Sequence, residues 1–255
     1  MHRVRFRDPN GDVRTGSWDA AENRITASAG PGGRLSVSDD SYTPAEVDVL
    51  APTDPSKIVC VGLNYRGHAE EQDKEIPDRP LLFLKGPNTV ASHNQTVELL
   101  PDKERIDYEA ELGVVIDTQC RNVAEADAMD VVRGFTCVDD ISNRDDQRAE
   151  QNWVRGKAFD NAAPMGPLLA SPDEVPDDAT IELRVNGERR QHSSREEFIF
   201  SIPELIEEIT TYMTLEPGDV ISTGTPAGVG PLADGDRVAV EIEGIGTLSH
   251  SVTIP

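Results

Sequence analysis

Asp107-Tyr-Glu-Ala-Glu-Leu-Gly-Val-Val-Ile116 decides how this chain is read. The segment reads as a strand over 109–116. Side chains alternate along a strand, so Glu109 and Glu111 are expected on one face. Downstream, the apolar run beginning at Gly134 closes on Asp140. Two carboxylates from one strand and one from another make a cluster of oxygen ligands. A hard divalent cation such as Mg²⁺ takes oxygen ligands and keeps positions for water or substrate. Glu109, Glu111 and Asp140 are therefore the candidate ligands of an open-sided metal site, and the chain a candidate enzyme. The competing reading is a strand with glutamates on its wet face, ordinary in so acidic a chain.

The chain has 255 residues, enough for a full core. It carries 47 acidic residues against 24 Lys and Arg, a formal net charge of -23. Such a surface argues against nonspecific nucleic-acid binding and against docking on anionic membranes. Few lysines and many acids suit hydration in high salt, so a halophilic origin is expected. Cys60, Cys120 and Cys137 show no C-x-x-C spacing and read as free thiols in a reducing compartment. The N-terminus lacks an apolar signal core, and no apolar run reaches transmembrane length. The expected location is the cytoplasm.

A small β-rich appendage is expected over 1–52 and one catalytic domain over 53–255. Within the appendage, 29–34 is glycine-rich and reads as a flexible connection. Ile58-Val-Cys-Val61 reads as a buried strand. Further strands are expected at 81–85, 109–116, 133–138, 180–186, 219–223 and 237–243. Asn186-Gly187 signals a tight hairpin. Ser201-Ile-Pro-Glu204 matches a capping box with proline in the first turn. The helix it opens has Ile202, Leu205, Ile206, Ile209 and Met213 at the 3.6-residue period. A second helix is expected over 127–132. Strands and helices do not alternate regularly, which argues against a doubly wound sheet.

Three further segments carry chemistry. His68 and Glu71 are spaced to pair on a helix or turn. A histidine oriented by a carboxylate can serve as a general base at neutral pH, whereas an unpaired one would be a surface residue. Arg144 and Gln147 share the same spacing, and Lys157 follows shortly. These three donors near a cation could stabilise a developing oxyanion, or Arg144 could simply pair with Asp145 or Asp146. The loop Thr223-Gly-Thr-Pro-Ala-Gly-Val-Gly230 lacks the Gly-Lys-Ser/Thr ending of a phosphate loop. It reads as a plain turn or as a backbone cradle for a small carboxylate.

Taken in order, these motifs resemble the fumarylacetoacetate hydrolase family, in its smaller members. They are G-x-N-Y-x-x-H-x-x-E at 62–71, F-L-K at 83–85, D-Y-E-x-E-L at 107–112 and D-x-S-x-R-D-x-Q at 140–147. G-K-x-F-D at 156–160 and S-I-P…L-x-P-G-D-V-I-x-T-G-T-P-x-G-V-G-P at 201–231 complete the set. The resemblance implies an α+β, β-rich fold with a mixed β-roll or barrel-like core, in a homodimer. It implies Mg²⁺ or Mn²⁺, with Ca²⁺ also admissible, on Glu109, Glu111 and Asp140. It implies a water-activating His68–Glu71 dyad on a mobile lid and oxyanion donors at Arg144, Gln147 and Lys157. Lys85, Gly224 and Thr225 match substrate-binding positions. Asp139 departs from the asparagine usual in relatives and adds a charge beside Asp140. The implied substrate is a small 2-oxo acid. The implied reaction is hydrolysis of a C–C bond in acylpyruvate-type 2,4-dioxo acids. Isomerase, decarboxylase or tautomerase action on 2-oxo dioic acids is the alternative, with a sugar-acid dehydratase or hydrolase beside it. A non-catalytic relative that kept the fold would be expected to have lost some of these residues.

Overall fold

β-Branched and aliphatic runs without proline dictate a sheet-dominated molecule, and the computed structural model of the chain bears this out. It describes residues 2–28 and 37–255, so the expected connection over 29–34 lies outside the described residues. The N-terminal strands are β1 (Arg3–Arg7), β2 (Val13–Asp19), β3 (Arg24–Ser28), β4 (Val37–Tyr42) and β5 (Asp48–Leu50). Then come β6 (Ile58–Val61), helix α1 (Arg66–Glu71), β7 (Leu82–Lys85), β8 (Val90–Ala91), β9 (Thr96–Glu98), β10 (Ile106–Tyr108), β11 (Ala110–Ile116) and β12 (Val132–Asp139). β13 (Ser142–Asn143), α2 (Arg144–Ala149), α3 (Val154–Lys157), β14 (Ala163–Ala170), β15 (Thr180–Val185) and β16 (Glu188–Ser194) follow. The chain ends with α4 (Ile202–Tyr212), β17 (Val220–Ser222), β18 (Gly230–Pro231), β19 (Arg237–Ile242) and β20 (Gly246–Thr253).

A 12-stranded mixed sheet runs β4-β3-β2-β1-β14-β12-β11-β17-β6-β7, with β5 on β1 and β8 on β14. It is open, ending at β4 and β7. β1 joins β14 at Arg3↔Leu169, so the N-terminal strands continue the main sheet while Val4, Phe6, Ile25, Ala27 and Val49 form their own apolar cluster. β11 is buried along its whole length because it has partners on both edges and neighbours on both faces, the condition that selects a continuous apolar run. A five-stranded sheet, β16-β15-β19-β20-β9, packs β15, β19 and β20 against β11, β12 and β14. A three-stranded sheet, β13-β10-β18, lies at the end of β11 and β12 where the candidate site forms.

Local signals fared according to how local their cause is. β15 and β16 turn at Asn186 (φ 51) and Gly187 (φ 82), the two positive φ angles that a two-residue hairpin requires. The Ser201–Glu204 capping box opens α4, whose Ile202, Leu205, Ile206 and Ile209 are buried. Met213 falls one residue past its end. The helix expected at 127–132 is a 3₁₀ segment, Glu125–Val131, and Val132 already belongs to β12. Its β-branched end, Val131 and Val132, runs directly into the sheet. The strand expected over 109–116 begins only at Ala110: Glu109 sits at the break between β10 and β11. Cys60, Cys120 and Cys137 are free and buried. No described helix is long and apolar enough to cross a membrane.

Candidate metal centre and active site

Glu109, Glu111 and Asp140 converge: their ligand oxygens lie within 4.8 Å of one another, and all three residues are buried. Glu111 comes from β11, paired with β12 in the register Glu111↔Val138, and Asp140 directly follows β12. Glu109 reaches the same point from the sheet break rather than from within the strand.

Each carboxylate has a different environment. Glu109 accepts from Lys157 Nζ at 2.6 Å, from the Ser142 hydroxyl at 3.1 Å and from the Arg144 guanidinium. Burial pushes its carboxyl up, but Lys157 and Arg144 outweigh burial and hold it well below the ordinary range. Asp140 meets Lys157 Nζ at 2.7 Å through Oδ2. Its Oδ1 lies 2.8 Å from Lys85 Nζ, an ionic contact rather than a directed hydrogen bond. Glu111 touches no cation among the described residues. It accepts from the Ser222 hydroxyl at 2.5 Å and the Gly224 amide at 3.0 Å. Burial, with Asp140 and Glu109 beside it, pushes its carboxyl well above the ordinary range. One buried carboxylate of the three thus lacks a compensating charge, and a hard divalent cation on these oxygens would supply it. The donor set fits the expected metal.

The basic groups are held by the same acids. Burial would lower the Lys157 ammonium, but Asp140 and Glu109 outweigh it and keep it charged far above neutrality. Arg144 does not pair with Asp145 or Asp146. Its Nε donates to Asp107 at 2.7 Å, and a terminal nitrogen donates to Gln147 Oε1 at 2.8 Å. Arg144 and Lys157 thus reach the site with their charges directed onto its carboxylates. Lys85 lies behind Asp140, donating to the carbonyls of Ile141 and Ala162 at 3.2 and 2.8 Å, and does not line the cavity. Gly224 and Thr225 also stand off the cavity wall. The Gly224 amide is committed to Glu111, and Thr225 Oγ1 accepts from Gln191 at 2.9 Å.

The His68–Glu71 pair forms as the spacing predicts. His68 Nδ1 lies 3.2 Å from Glu71 Oε2 on α1, and Nε2 lies 2.6 Å from the Gln72 amide nitrogen. An amide nitrogen only donates, so Nε2 is the acceptor and Nδ1–H donates to Glu71. That tautomer leaves Nε2 as the basic nitrogen. Burial lowers the His68 pKa, against the opposing pull of Glu109 and Glu71. Glu71 is fixed in turn by the Gly228 amide, at 3.2 and 3.3 Å. His68, Glu71, Glu109, Arg144, Gln147 and Lys157 all line one cavity of about 850 Å³, with Leu81, Phe83 and Trp153 on its apolar side.

Several contributors escaped the sequence reading. Ser142 stands in the D-x-S-x-R-D-x-Q motif without an assigned role, and Ser222 carries no spacing signal. Gln72 is one helical turn from His68, a signal that was there to use. Asp139 does not face the cluster: its Oδ1 accepts the Glu109 amide at 2.8 Å, and its Oδ2 lies 2.7 Å from Nε2 of His250, a histidine with no expected role.

A family model described as fumarylacetoacetate (FAA) hydrolase C-terminal matches residues 57–253. Oxaloacetate tautomerase YisK of Bacillus subtilis is 44% identical over 225 residues, covering 83% of this chain and 75% of that protein. The crystal structure of 5-carboxymethyl-2-hydroxymuconate delta-isomerase from Mycobacterium smegmatis matches with a TM-score of 0.90 at 37% identity, covering 100% of this chain and 99% of that one. Maleylpyruvate hydrolase from Sphingobium sp. SYK-6, solved with manganese(II) and pyruvate, matches with a TM-score of 0.81 at 26% identity, over 100% and 99% of the two chains. The residues that build the site, His68 through Thr225, all fall inside the matched span, and the fold around them is shared from end to end. The chain belongs to the fumarylacetoacetate hydrolase family.

Proposed function

We propose that the protein is a divalent-metal-dependent hydrolase that cleaves a C–C bond in acylpyruvate-type 2,4-dioxo acids. The observation that carries this reading is the His68–Glu71 pair on the same cavity as Glu109, one of the three clustered carboxylates. Glu109, Glu111 and Asp140 would hold Mg²⁺ or Mn²⁺, which when bound supplies Lewis acidity to the carboxylate and 2-oxo oxygens of the substrate. Once the Gln72 amide gives way, His68 Nε2 takes a proton from water, and Glu71 steadies the imidazolium that results. The hydroxide adds to the 4-oxo carbon, and Arg144, Gln147 and Lys157 stabilise the oxyanion. The bond between C3 and C4 breaks, its electron pair passes to the pyruvate enolate, and protonation at C3 gives pyruvate and a free acid. Leu81, Phe83 and Trp153 limit water around the reacting carbons.

A second reading is proton transfer without hydrolysis: tautomerisation, isomerisation or decarboxylation of a 2-oxo dioic acid. The 44% identity to an oxaloacetate tautomerase favours it. The test is a Mg²⁺- or Mn²⁺-dependent screen in molar KCl with acetylpyruvate, fumarylpyruvate and oxaloacetate side by side. Loss of diketone absorbance with pyruvate and a free acid as products supports the hydrolase. Turnover of oxaloacetate alone refutes it and selects the second reading.

A further inference from the structure

Three buried polar side chains that the chemistry above does not use converge on one spot. Glu109 and Ala110 span the break where the chain leaves the three-stranded sheet and enters the large one. Each of their amides is met by a buried side chain. Asp139 Oδ1 accepts the Glu109 N–H at 2.8 Å, and Gln191 Oε1 accepts the Ala110 N–H at 2.9 Å. Both side chains are held from behind. Asp139 Oδ2 lies 2.7 Å from His250 Nε2, which carries the hydrogen because a carboxylate only accepts. The Gln191 amide nitrogen donates to Thr225 Oγ1 at 2.9 Å and to the Pro226 carbonyl at 2.8 Å. His250 stands on β20 and Gln191 on β16, so both supports come from the five-stranded sheet. Asp139, Gln191 and His250 are 0%, 1% and 2% exposed, and none lines the cavity.

Ladder hydrogen bonds normally fix both sides of a strand residue; at the break the Glu109 carbonyl still accepts from the Asp140 amide at 2.9 Å, but its own amide is left to the Asp139 side chain. We propose that His250, acting through Asp139, and Gln191 are positioning residues that clamp the Glu109–Ala110 backbone and so hold the Glu109 carboxylate in register with Glu111 and Asp140. This rests on the metal-site reading of the cluster. The same clamp would hold with an asparagine at position 139. An asparagine oxygen accepts the Glu109 amide equally well, and its nitrogen can donate to His250 Nε2 in the other tautomer. The clamp needs hydrogen bonds at this position, not a charge.

The test uses the full chain and two readouts that need no activity: Mn²⁺ affinity by calorimetry and amide exchange over 106–112 by mass spectrometry. Supports of this kind change metal affinity by about 10- to 100-fold. His250→Ala and Gln191→Met should weaken Mn²⁺ binding by that factor and speed exchange over 106–112. His250→Gln, which restores a donor near Nε2, should recover most of the loss, and Asp139→Asn should bind Mn²⁺ like the wild type. Should His250→Ala fail to fold, Gln191→Met carries the same reading. Variants that exchange faster but bind Mn²⁺ like the wild type would show a merely structural role and overturn the inference, as would unchanged exchange. A wild type that binds no Mn²⁺ would instead bring down the metal-site reading, and the inference with it.

Discussion

Lys157→Met removes the ammonium shared by Glu109 and Asp140 and keeps an unbranched side chain of similar length. Lys157 is buried, with Nζ 2.6 Å from Glu109 and 2.7 Å from Asp140 and 4.9 Å from the Phe83 ring centroid. Removing one partner of a buried ion pair costs about 3–5 kcal/mol, because a charge is left uncompensated. Here each carboxylate keeps another cation, Arg144 on Glu109 and Lys85 on Asp140. The cost therefore falls at the low end, about 3 kcal/mol. At roughly 2–4 °C per kcal/mol for a chain near this size, the chelator-treated variant should melt roughly 6–12 °C below the wild type.

The more telling consequence is for the metal. A divalent cation draws on the same oxygens as the ammonium, so loading should relieve part of the variant's deficit. If about half is relieved, about 1.4 kcal/mol, Mn²⁺ binds about tenfold more tightly to Lys157→Met than to the wild type. Activity should fall while metal affinity rises, a combination that general damage to the site would not produce. Calorimetric titration with Mn²⁺ and melting curves with and without chelator measure both quantities. An unchanged metal-free melting temperature would refute the electrostatic role of Lys157. Weaker Mn²⁺ binding by the variant would refute the competition.

Further outcomes concern three residues: His68, Gly224 and Arg148. Burial depresses His68, so the neutral base should persist below its ordinary pKa of about 6.5, and the acid limb of the kcat/KM profile should have its midpoint under that value. The stability linked to His68 has the same sign: present above about pH 6.5 and lost as pH falls toward the folded value. His68→Ala should lower hydrolysis by about 10²–10⁴-fold, as measured by steady-state kinetics. Gly224→Ala would place a Cβ 2.8 Å from Asn64 Cβ and 3.2 Å from the Val61 carbonyl at a φ of +95°, so denaturant unfolding should show a loss of about 1–3 kcal/mol, with weaker Mn²⁺ binding as the Glu111 contact shifts. Arg148 lines the cavity one turn beyond Arg144 and has no ion pair among the described residues, so Arg148→Ala should weaken binding of 2-oxoadipate by about tenfold and leave 2-oxohexanoate unchanged by calorimetry.

What could be read from the sequence tracks the range of the forces involved. Asn186-Gly187 and the Ser201–Glu204 box were legible because backbone conformation and a cap act over a few residues. Glu111 and Asp140 were legible because a strand's period and its end are local facts. The break at Glu109 was not, because Asp139, not a ladder partner, takes its amide. The spacing of Arg144 and Gln147 was informative, but Arg144 bonds Asp107 and Glu109 rather than its sequence neighbours. Those partners depend on how β10 lies against α2. His250 was out of reach for the same reason: it meets Asp139 only because β20 packs against β12.

The break at Glu109 also explains how a sheet protein can gather three acids so closely. Two residues along an unbroken strand rise about 6.6–6.8 Å, and their carboxylates tend to keep that spacing. Here the ligand oxygens of Glu109, Glu111 and Asp140 lie within 4.8 Å of one another. At the break the Glu109 amide turns to the Asp139 side chain instead of a ladder partner, and Ser142 meets its carboxylate where it joins Glu111 and Asp140. The acids therefore belong to sheets and their margins, whereas Arg144 and Lys157, which answer two of them, belong to the short helices α2 and α3. Those helices also line the cavity, through Arg144, Gln147, Arg148 and Lys157. A metal on these oxygens would compete with the helical cations Arg144 and Lys157 for the same carboxylates. The oxygens that must hold a cation at fixed distances stay where the sheets and their buried supports place them.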